Sequence, residues 1–132
     1  MNDNEKMIID SIINNTDTMF NVTDDEEAVY NSINGHFNFL KENIGQFVTF
    51  EDASFSWMEN IYLPLHNALM NSPYTIGFPK KKIDKLFFEV CDNWYFMAQK
   101  DENTMASDAV INYFKNFSNR AGRLFIKAYS VA

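Results

Sequence analysis

The amino-acid sequence predicts an all-α protein, folded as a single-domain bundle of about five helices over residues 1–132. Apolar residues recur three and four positions apart along most of the chain, which is the period of one face of an α-helix. Alternation of the kind seen in strands is confined to residues 47–50 and 74–76, which are too short to form a sheet. With 46% apolar residues, 4 Gly and 3 Pro, the composition excludes a disordered chain.

Two helices are predicted before Gly45, which is a suitable residue to end the second of them. The first covers residues 5–14 and buries Met7, Ile8, Ile12 and Ile13. Because so short a helix is marginal in water without tertiary contacts, residues 1–22 are a candidate for a loosely packed N-terminal segment. The second helix opens with a capping-box pair, Thr23 and Glu26. Its apolar face consists of Val29, Ile33, Phe37, Leu40 and Ile44.

A third helix is predicted to begin at Thr49 or Phe50 and to end near residue 71. Its apolar stripe consists of Met58, Ile61, Tyr62, Leu65 and Leu69. Pro64 falls off that stripe, so a continuous helix with a kink and a break in the helix are both allowed.

The last two helices have the longest apolar stripes. The fourth follows Pro79, and its stripe is Ile83, Leu86, Phe87, Val90, Cys91, Trp94, Met97 and Ala98. The polar residues 101–104 then interrupt the pattern. The fifth has Ser107 as its predicted N-cap, with Asn103 or Thr104 as alternatives. Its stripe is Val110, Ile111, Phe114, Phe117, Ala121, Leu124, Phe125 and Ala128.

The sequence also indicates a cytoplasmic protein without a membrane span. Cys91 is the single cysteine, so an internal disulfide is excluded. No uncharged apolar run approaches the ~20 residues that cross a bilayer. The N-terminus is acidic where a signal peptide would carry Lys or Arg.

Charge is distributed unevenly along the chain, whose net charge is −7. Residues 1–60 contain twelve acids and two bases, for a net charge of −10, whereas residues 61–132 have a net charge of +3. Such an acidic half would attract a basic protein surface, and the overall charge of −7 disfavours direct nucleic-acid binding.

The residue types that carry catalysis or bind metals occur without the spacing that such chemistry needs. His36 and His66 stand in no metal-ligand pattern and are interpreted as boundary or surface histidines. Cys91 lies on an apolar helix face and is interpreted as a buried, inert thiol. Glycine-rich phosphate loops and nucleophile motifs are absent from the sequence. The sequence therefore predicts no catalytic residues, no metal and no cofactor.

Several aromatic residues fall outside the predicted core stripes, and they favour a binding function. These residues are Phe39, Phe55, Trp57, Phe88, Phe96 and Tyr113. The leading hypothesis is stoichiometric protein–protein interaction with a basic partner, as in an inhibitor, an immunity-type protein or a regulatory protein of a phage or mobile element. The predicted partner-binding residues are Asp24, Asp25, Glu26, Glu27, Glu51, Asp52, Phe55, Trp57 and Glu59. A homo-oligomer interface would also use such aromatics.

Two hypotheses from other classes stay open. One is a small-molecule-binding or enzymatic bundle with an aromatic-lined pocket, in which His66, Cys91 and Trp94 are the residues of interest. The other is a helical DNA-binding module that uses the basic residues of the last helix, Arg120, Arg123 and Lys127. The cluster Lys80, Lys81 and Lys82 opens the fourth helix, where cations oppose the helix dipole, and has no assigned role.

Overall fold

The computed structural model describes residues 1–15 and 22–118, and it contains six α-helices within them. They are α1 (Asp3–Asn15), α2 (Val22–Asn43), α3 (Phe50–Trp57), α4 (Leu63–Met70), α5 (Lys80–Lys100) and α6 (Ala106–Ser118). A π-helical segment, Met58–Tyr62, joins α3 directly to α4, so the described residues form five helices when these three segments are counted as one. The described residues contain no strand, and the prediction of an all-α protein is confirmed.

The helices belong to two compact units, Met1–Leu63 and Pro64–Ala132. In the first unit, α1, α2 and α3 each contact the other two. Within residues 1–22, α1 contributes Ile9, Ile12 and Ile13 to the core. From α2 the core receives Val29, Ile33 and Leu40. From α3 it receives Phe50, Ala53 and Trp57.

The starts of α1 and α3 are each fixed by a reciprocal pair of hydrogen bonds. Thr49 Oγ1 accepts from the backbone N–H of Asp52 at 3.1 Å, and Asp52 Oδ2 accepts from the N–H of Thr49 at 3.0 Å. Asn2 and Glu5 make the same exchange at the start of α1. Each pair satisfies N–H groups that have no partner within the helix. The side chain of Thr23, which belongs to the predicted capping box of α2, lies outside the described residues.

The chain stays helical through Pro64, the second residue of α4. Proline has no N–H, and in a regular α-helix its ring would collide with the carbonyl four residues earlier, which is that of Asn60. The turn before it is π-helical instead, and the N–H of Leu63 bonds to the carbonyl of Met58, five residues earlier. Of the two possibilities left open by the sequence, the structure has a continuous helix, with a π-helical turn before Pro64.

In the second unit, α5 packs against α6. The predicted stripe of α5 supplies the buried residues Ile83, Phe87, Val90 and Cys91. Asn93 on α5 links the two helices by hydrogen bonds: its Nδ2 donates to the carbonyl of Ala109 at 3.2 Å and to Asn112 Oδ1 at 3.1 Å.

The start of α6 differs from the prediction. The helix begins at Ala106, and Asp108 Oδ2 accepts from the N–H of Met105 at 2.9 Å, so Ser107 is not the N-cap and neither is Asn103 or Thr104. Thr104 instead accepts from Trp94 Nε1 through its carbonyl at 3.0 Å, which holds the α5–α6 connection against α5.

Several predicted features lie outside the described residues. They are the continuation of the last helix to Ala128, the basic residues Arg120, Arg123 and Lys127, and the side chains of Asp24, Lys80–Lys82 and Phe117. Among the helices that are described, none combines the length and the apolarity that a membrane crossing requires.

Candidate interaction groove on the first unit

A groove of about 710 Å³ lies between α1 and α3 of the first unit. From α1 it is lined by Met7, Ile8, Ser11 and Ile12. From α3 and the π segment it is lined by Glu51, Asp52, Ser54, Phe55 and Met58. Both walls are therefore helix surfaces, and residues three, four and seven positions apart face the same space.

The floor and the rims of this groove differ in character. Ile12 and Ser54 form the floor, since both are buried. Ser54 Oγ donates to the carbonyl of Glu51 at 2.7 Å, so its hydroxyl already has a partner. Met7 on one rim is 68% exposed, and Phe55 on the other is 67% exposed. Two large apolar side chains thus stand in solvent on opposite sides of one depression, which is typical of an interaction surface.

The charged residues that line the groove are acidic. Glu51 and Asp52 lie in the first turn of α3, where carboxylates complement the helix dipole. The hydrogen bond from the backbone N–H of Thr49 holds the pKa of the Asp52 carboxyl below its usual range, so this group stays ionised at neutral pH. Neither Lys nor Arg occurs among the lining residues in the described part of the chain.

Lys6 precedes Met7, but its charge is already paired. Its Nζ lies 2.8 Å from Glu26 Oε1 and 3.8 Å from Asp10 Oδ2. The hydrogen bond to Glu26 raises the pKa of this lysine, with Asp10 adding to the effect. The pair links α1 to α2, and it leaves the acidic groove without a neutralising cation from this residue.

The groove brings together three of the nine predicted partner-binding residues: Glu51, Asp52 and Phe55. The other acids lie elsewhere. Glu27 and Glu59 are exposed outside the groove, Asp25 is half-buried, and Glu26 is paired with Lys6. The structure therefore divides the predicted acidic surface, and the first turn of α3 is the part of it that lines the groove together with Met7 and Phe55.

The prediction that Trp57 is an exposed partner-binding residue is wrong. It was expected outside the core as a partner anchor, but it is 0% exposed, and its Nε1 donates to Ser32 Oγ at 3.0 Å. It follows Phe55 by two positions, which in a helix turns it to the opposite side of α3. A stripe of Phe50, Ala53, Trp57 and Ile61, at spacings of three and four, is present in the sequence and would have predicted this burial.

The prediction for α1 needs a similar correction. Met7 was assigned to the core but is exposed, whereas Ile9 is fully buried. Sequence reasoning therefore missed Met7 as a groove residue, together with Ile8, Ser11, Ile12, Ser54 and Met58. An alternative stripe of Ile9, Ile12 and Ile13 was the available signal, because isoleucine is buried more often than methionine.

The histidines differ in their surroundings. His36 is 4% exposed, so its interpretation as a boundary or surface residue is wrong. Its Nε2 lies 2.9 Å from Ser56 Oγ, and burial lowers its pKa to about 4, which keeps the ring neutral at physiological pH. His66 is half-buried on α4. No group of three or more His, Cys, Asp or Glu side chains within the described residues is arranged to hold a metal ion.

The residues of the pocket hypothesis are not part of the groove. Cys91 is buried as predicted, Trp94 hydrogen-bonds to the α5–α6 connection, and His66 is on α4.

A further hydrogen bond joins the last two described helices: the Tyr113 hydroxyl on α6 donates to a Glu89 oxygen on α5. Burial raises the pKa of the Asp92 carboxyl, with repulsion from Glu89 adding to the effect.

The remaining aromatics outside the predicted stripes vary in exposure. Phe39 and Phe96 are exposed, whereas Phe88 and Tyr113 are half-buried. Phe55 lines the groove described above, together with the carboxylates of Glu51 and Asp52.

Comparison with protein-family models, with curated proteins and with solved structures found no match for this chain.

Proposed function

We propose that the protein acts by stoichiometric binding of a basic protein partner, which contacts the groove between α1 and α3. The observation that carries this proposal is the pairing of exposed apolar side chains, Met7 and Phe55, with a groove whose charged lining residues among those described are Glu51 and Asp52.

Apolar burial would supply most of the affinity. Covering the exposed parts of Met7 and Phe55 would contribute about 2–4 kcal/mol together. Aromatic side chains in a concave site are the common anchors of protein interfaces. Phe55 and the Met7 and Met58 thioethers would give such an interface adaptable apolar contacts.

Charge would select the class of partner. Residues 1–60 have a net charge of −10, and the groove adds carboxylates at the first turn of α3. Nucleic acids and anionic lipid surfaces would be repelled, whereas a surface rich in Lys and Arg would be attracted and its association rate raised. Inhibitors, immunity-type proteins and regulatory proteins of phages or mobile elements act by stoichiometric binding of this kind.

Site-specific crosslinking tests the proposal. A photoreactive phenylalanine analogue is placed at Phe55 in the full chain, expressed in its host, and a matched control carries it at Phe39, which is exposed on α2 outside the groove. We expect a 1:1 adduct from position 55, through a partner segment of net positive charge, and little from position 39. The yield should fall when Glu51→Lys is added. Equal adducts from both positions, an acidic partner segment, or a second copy of this chain as the partner would contradict the proposal.

A further inference from the structure

Both walls of the groove are formed by helices, and this restricts the backbone conformation of a bound segment. Apart from their terminal turns, α1 and α3 bond their backbone N–H and C=O groups internally, and the described residues contain no strand edge that could pair with an extended peptide. An extended segment buried there would leave its own backbone groups without partners, which costs free energy for each group. A helix satisfies its backbone internally and would avoid that cost.

The side chains that line the walls also suit a helix. Ile8 and the floor residue Ile12 are four residues apart on α1, and Phe55 and Met58 are three apart, so the lining side chains of each helix recur with the helical period. Ser11 and Ser54 are small residues of the same lining, and they would allow a third helix to approach closely.

The length of the groove sets the number of anchors. Its lining runs from Glu51 to Met58, which corresponds to about 10 Å along α3. A helix of about two to three turns covers that distance and presents apolar side chains at positions i, i+3 or i+4, and i+7.

The charge of the groove is polarised along α3. Glu51 and Asp52 lie at its first turn, and Met58 lies beyond its other end. Lys and Arg stabilise a helix when they lie in its last turn. A partner helix antiparallel to α3 would bring that last turn against Glu51, and the two helix dipoles would also be aligned favourably.

Building on the proposed function, we infer that the partner segment is an amphipathic helix with Lys or Arg in its last turn, bound antiparallel to α3 in the groove. This inference names the recognition mode and the polarity of the partner, neither of which the proposed function specifies.

Three fluorescently labelled 16-residue peptides of one composition test the inference by anisotropy with the full chain at low salt. The first has leucine anchors at helical spacing, three lysines in its last turn and two prolines beyond its C-terminus. The second moves the lysines to the first turn. The third places the prolines within the anchor region. We expect the first to bind about threefold more tightly than the second and at least tenfold more tightly than the third.

Variants of the protein localise the contact. Glu51→Lys should weaken binding of the first peptide about fivefold relative to Glu59→Lys, which makes the same charge change at an exposed residue outside the groove. Methyl signals of Met7 and Met58 should shift on binding, whereas that of Met105, in the second unit, should not.

Equal binding of the helical and the proline-interrupted peptide would overturn the helical mode, and equal binding of the first two peptides would overturn the polarity. In either case, a position-55 crosslink to a basic partner would leave the proposed function standing. Peptide binding that leaves Met7 and Met58 unshifted would overturn the inference. If the position-55 crosslink also failed, the proposed function would fall with it.

Discussion

Trp57 Nε1 donates a hydrogen bond to Ser32 Oγ at 3.0 Å, and it does so from a side chain that is fully buried between α3 and α2. The Trp57 ring also packs against Tyr62, with ring centroids 5.8 Å apart. The most voluminous side chain of this core is therefore oriented by a polar contact, which fixes the face that α3 presents to α2.

Replacing Trp57 should destabilise the protein through that contact. Trp57→Phe removes the hydrogen bond and leaves unfilled volume, and we expect a loss of about 2–3 kcal/mol in the free energy of unfolding. Ser32→Ala removes the hydroxyl alone and should cost about 1 kcal/mol. Urea denaturation measures both. The control is Phe55→Leu, at an exposed position, which should change stability by less than about 0.5 kcal/mol. A Trp57→Phe variant as stable as the control would contradict the role given to this contact.

Stability should fall in mild acid because of His36. Burial lowers its pKa to about 4 in the folded protein, below the value near 6.5 of an unfolded chain. Between these pH values the unfolded chain binds the extra proton, so the contribution to stability is complete above pH ~6.5 and is lost as the pH falls toward 4. The loss should amount to about 3 kcal/mol.

The measurement for His36 is urea denaturation at several pH values between 7 and 4. His36→Gln removes the titrating ring, so its stability should depend less steeply on pH than that of the unchanged protein. His66 is present in both proteins and its effect cancels. Parallel pH profiles would show that His36 is not the source of the dependence.

Substitution by alanine should destabilise the protein at Gly45 and stabilise it at Gly35. Gly45 has a φ of +154°, which L-residues rarely adopt, and an added Cβ would lie 2.6 Å from the Phe47 ring. Gly45→Ala should therefore cost about 1–2 kcal/mol, mostly as backbone strain, since the exposed Phe47 ring can move. Gly35 lies within α2 with open space at its Cβ position, so Gly35→Ala should add about 0.5–1 kcal/mol. Thermal unfolding distinguishes the two, and equal shifts would contradict this account.

Replacing Asn93 should lower the stability of the protein more than replacing Asn116 does. Its Nδ2 donates to both Ala109 and Asn112 on α6, whereas the exposed Asn116 reaches Asn112 from the same helix. Asn93→Ala should cost about 1–2 kcal/mol, and Asn116→Ala less than about 0.5 kcal/mol. Denaturation monitored by circular dichroism provides the comparison. Equal losses would mean that the link between α5 and α6 does not depend on Asn93.

The faces of α2 and α5 were predictable because each stripe is long enough to define one direction. Val29, Ile33 and Leu40 are buried on α2, and Phe87 and Val90 are buried on α5, as their spacing predicts. Ile44 is the exception on the α2 stripe, because the helix ends at Asn43 and Ile44 is exposed beyond it. A short helix has too few apolar positions to define a single buried face. In α1 the spacing allowed more than one stripe, and the alternatives differ in whether Met7 or Ile9 points inward. The cap of α6 was misplaced because Asp108 bonds back to Met105, a residue with no capping side chain of its own.

The candidate site was predictable only in part. Glu51, Asp52 and Phe55 were expected at an interaction surface from their charge and from the position of Phe55 outside the stripe. Trp57 was wrongly added, because the stripe was drawn from Met58 onward and the π segment shifts the register between α3 and α4.

The sequence by itself determined that the described chain is helical and where most of its helices lie, because helix formation depends on residues three and four positions apart. Tertiary structure decided what the helices expose. Met7 and Phe55 are 48 positions apart, and no local pattern relates them. They face one groove because α1 and α3 pack together, and burial of Ile9 and Trp57 on the inner faces leaves these two side chains outside.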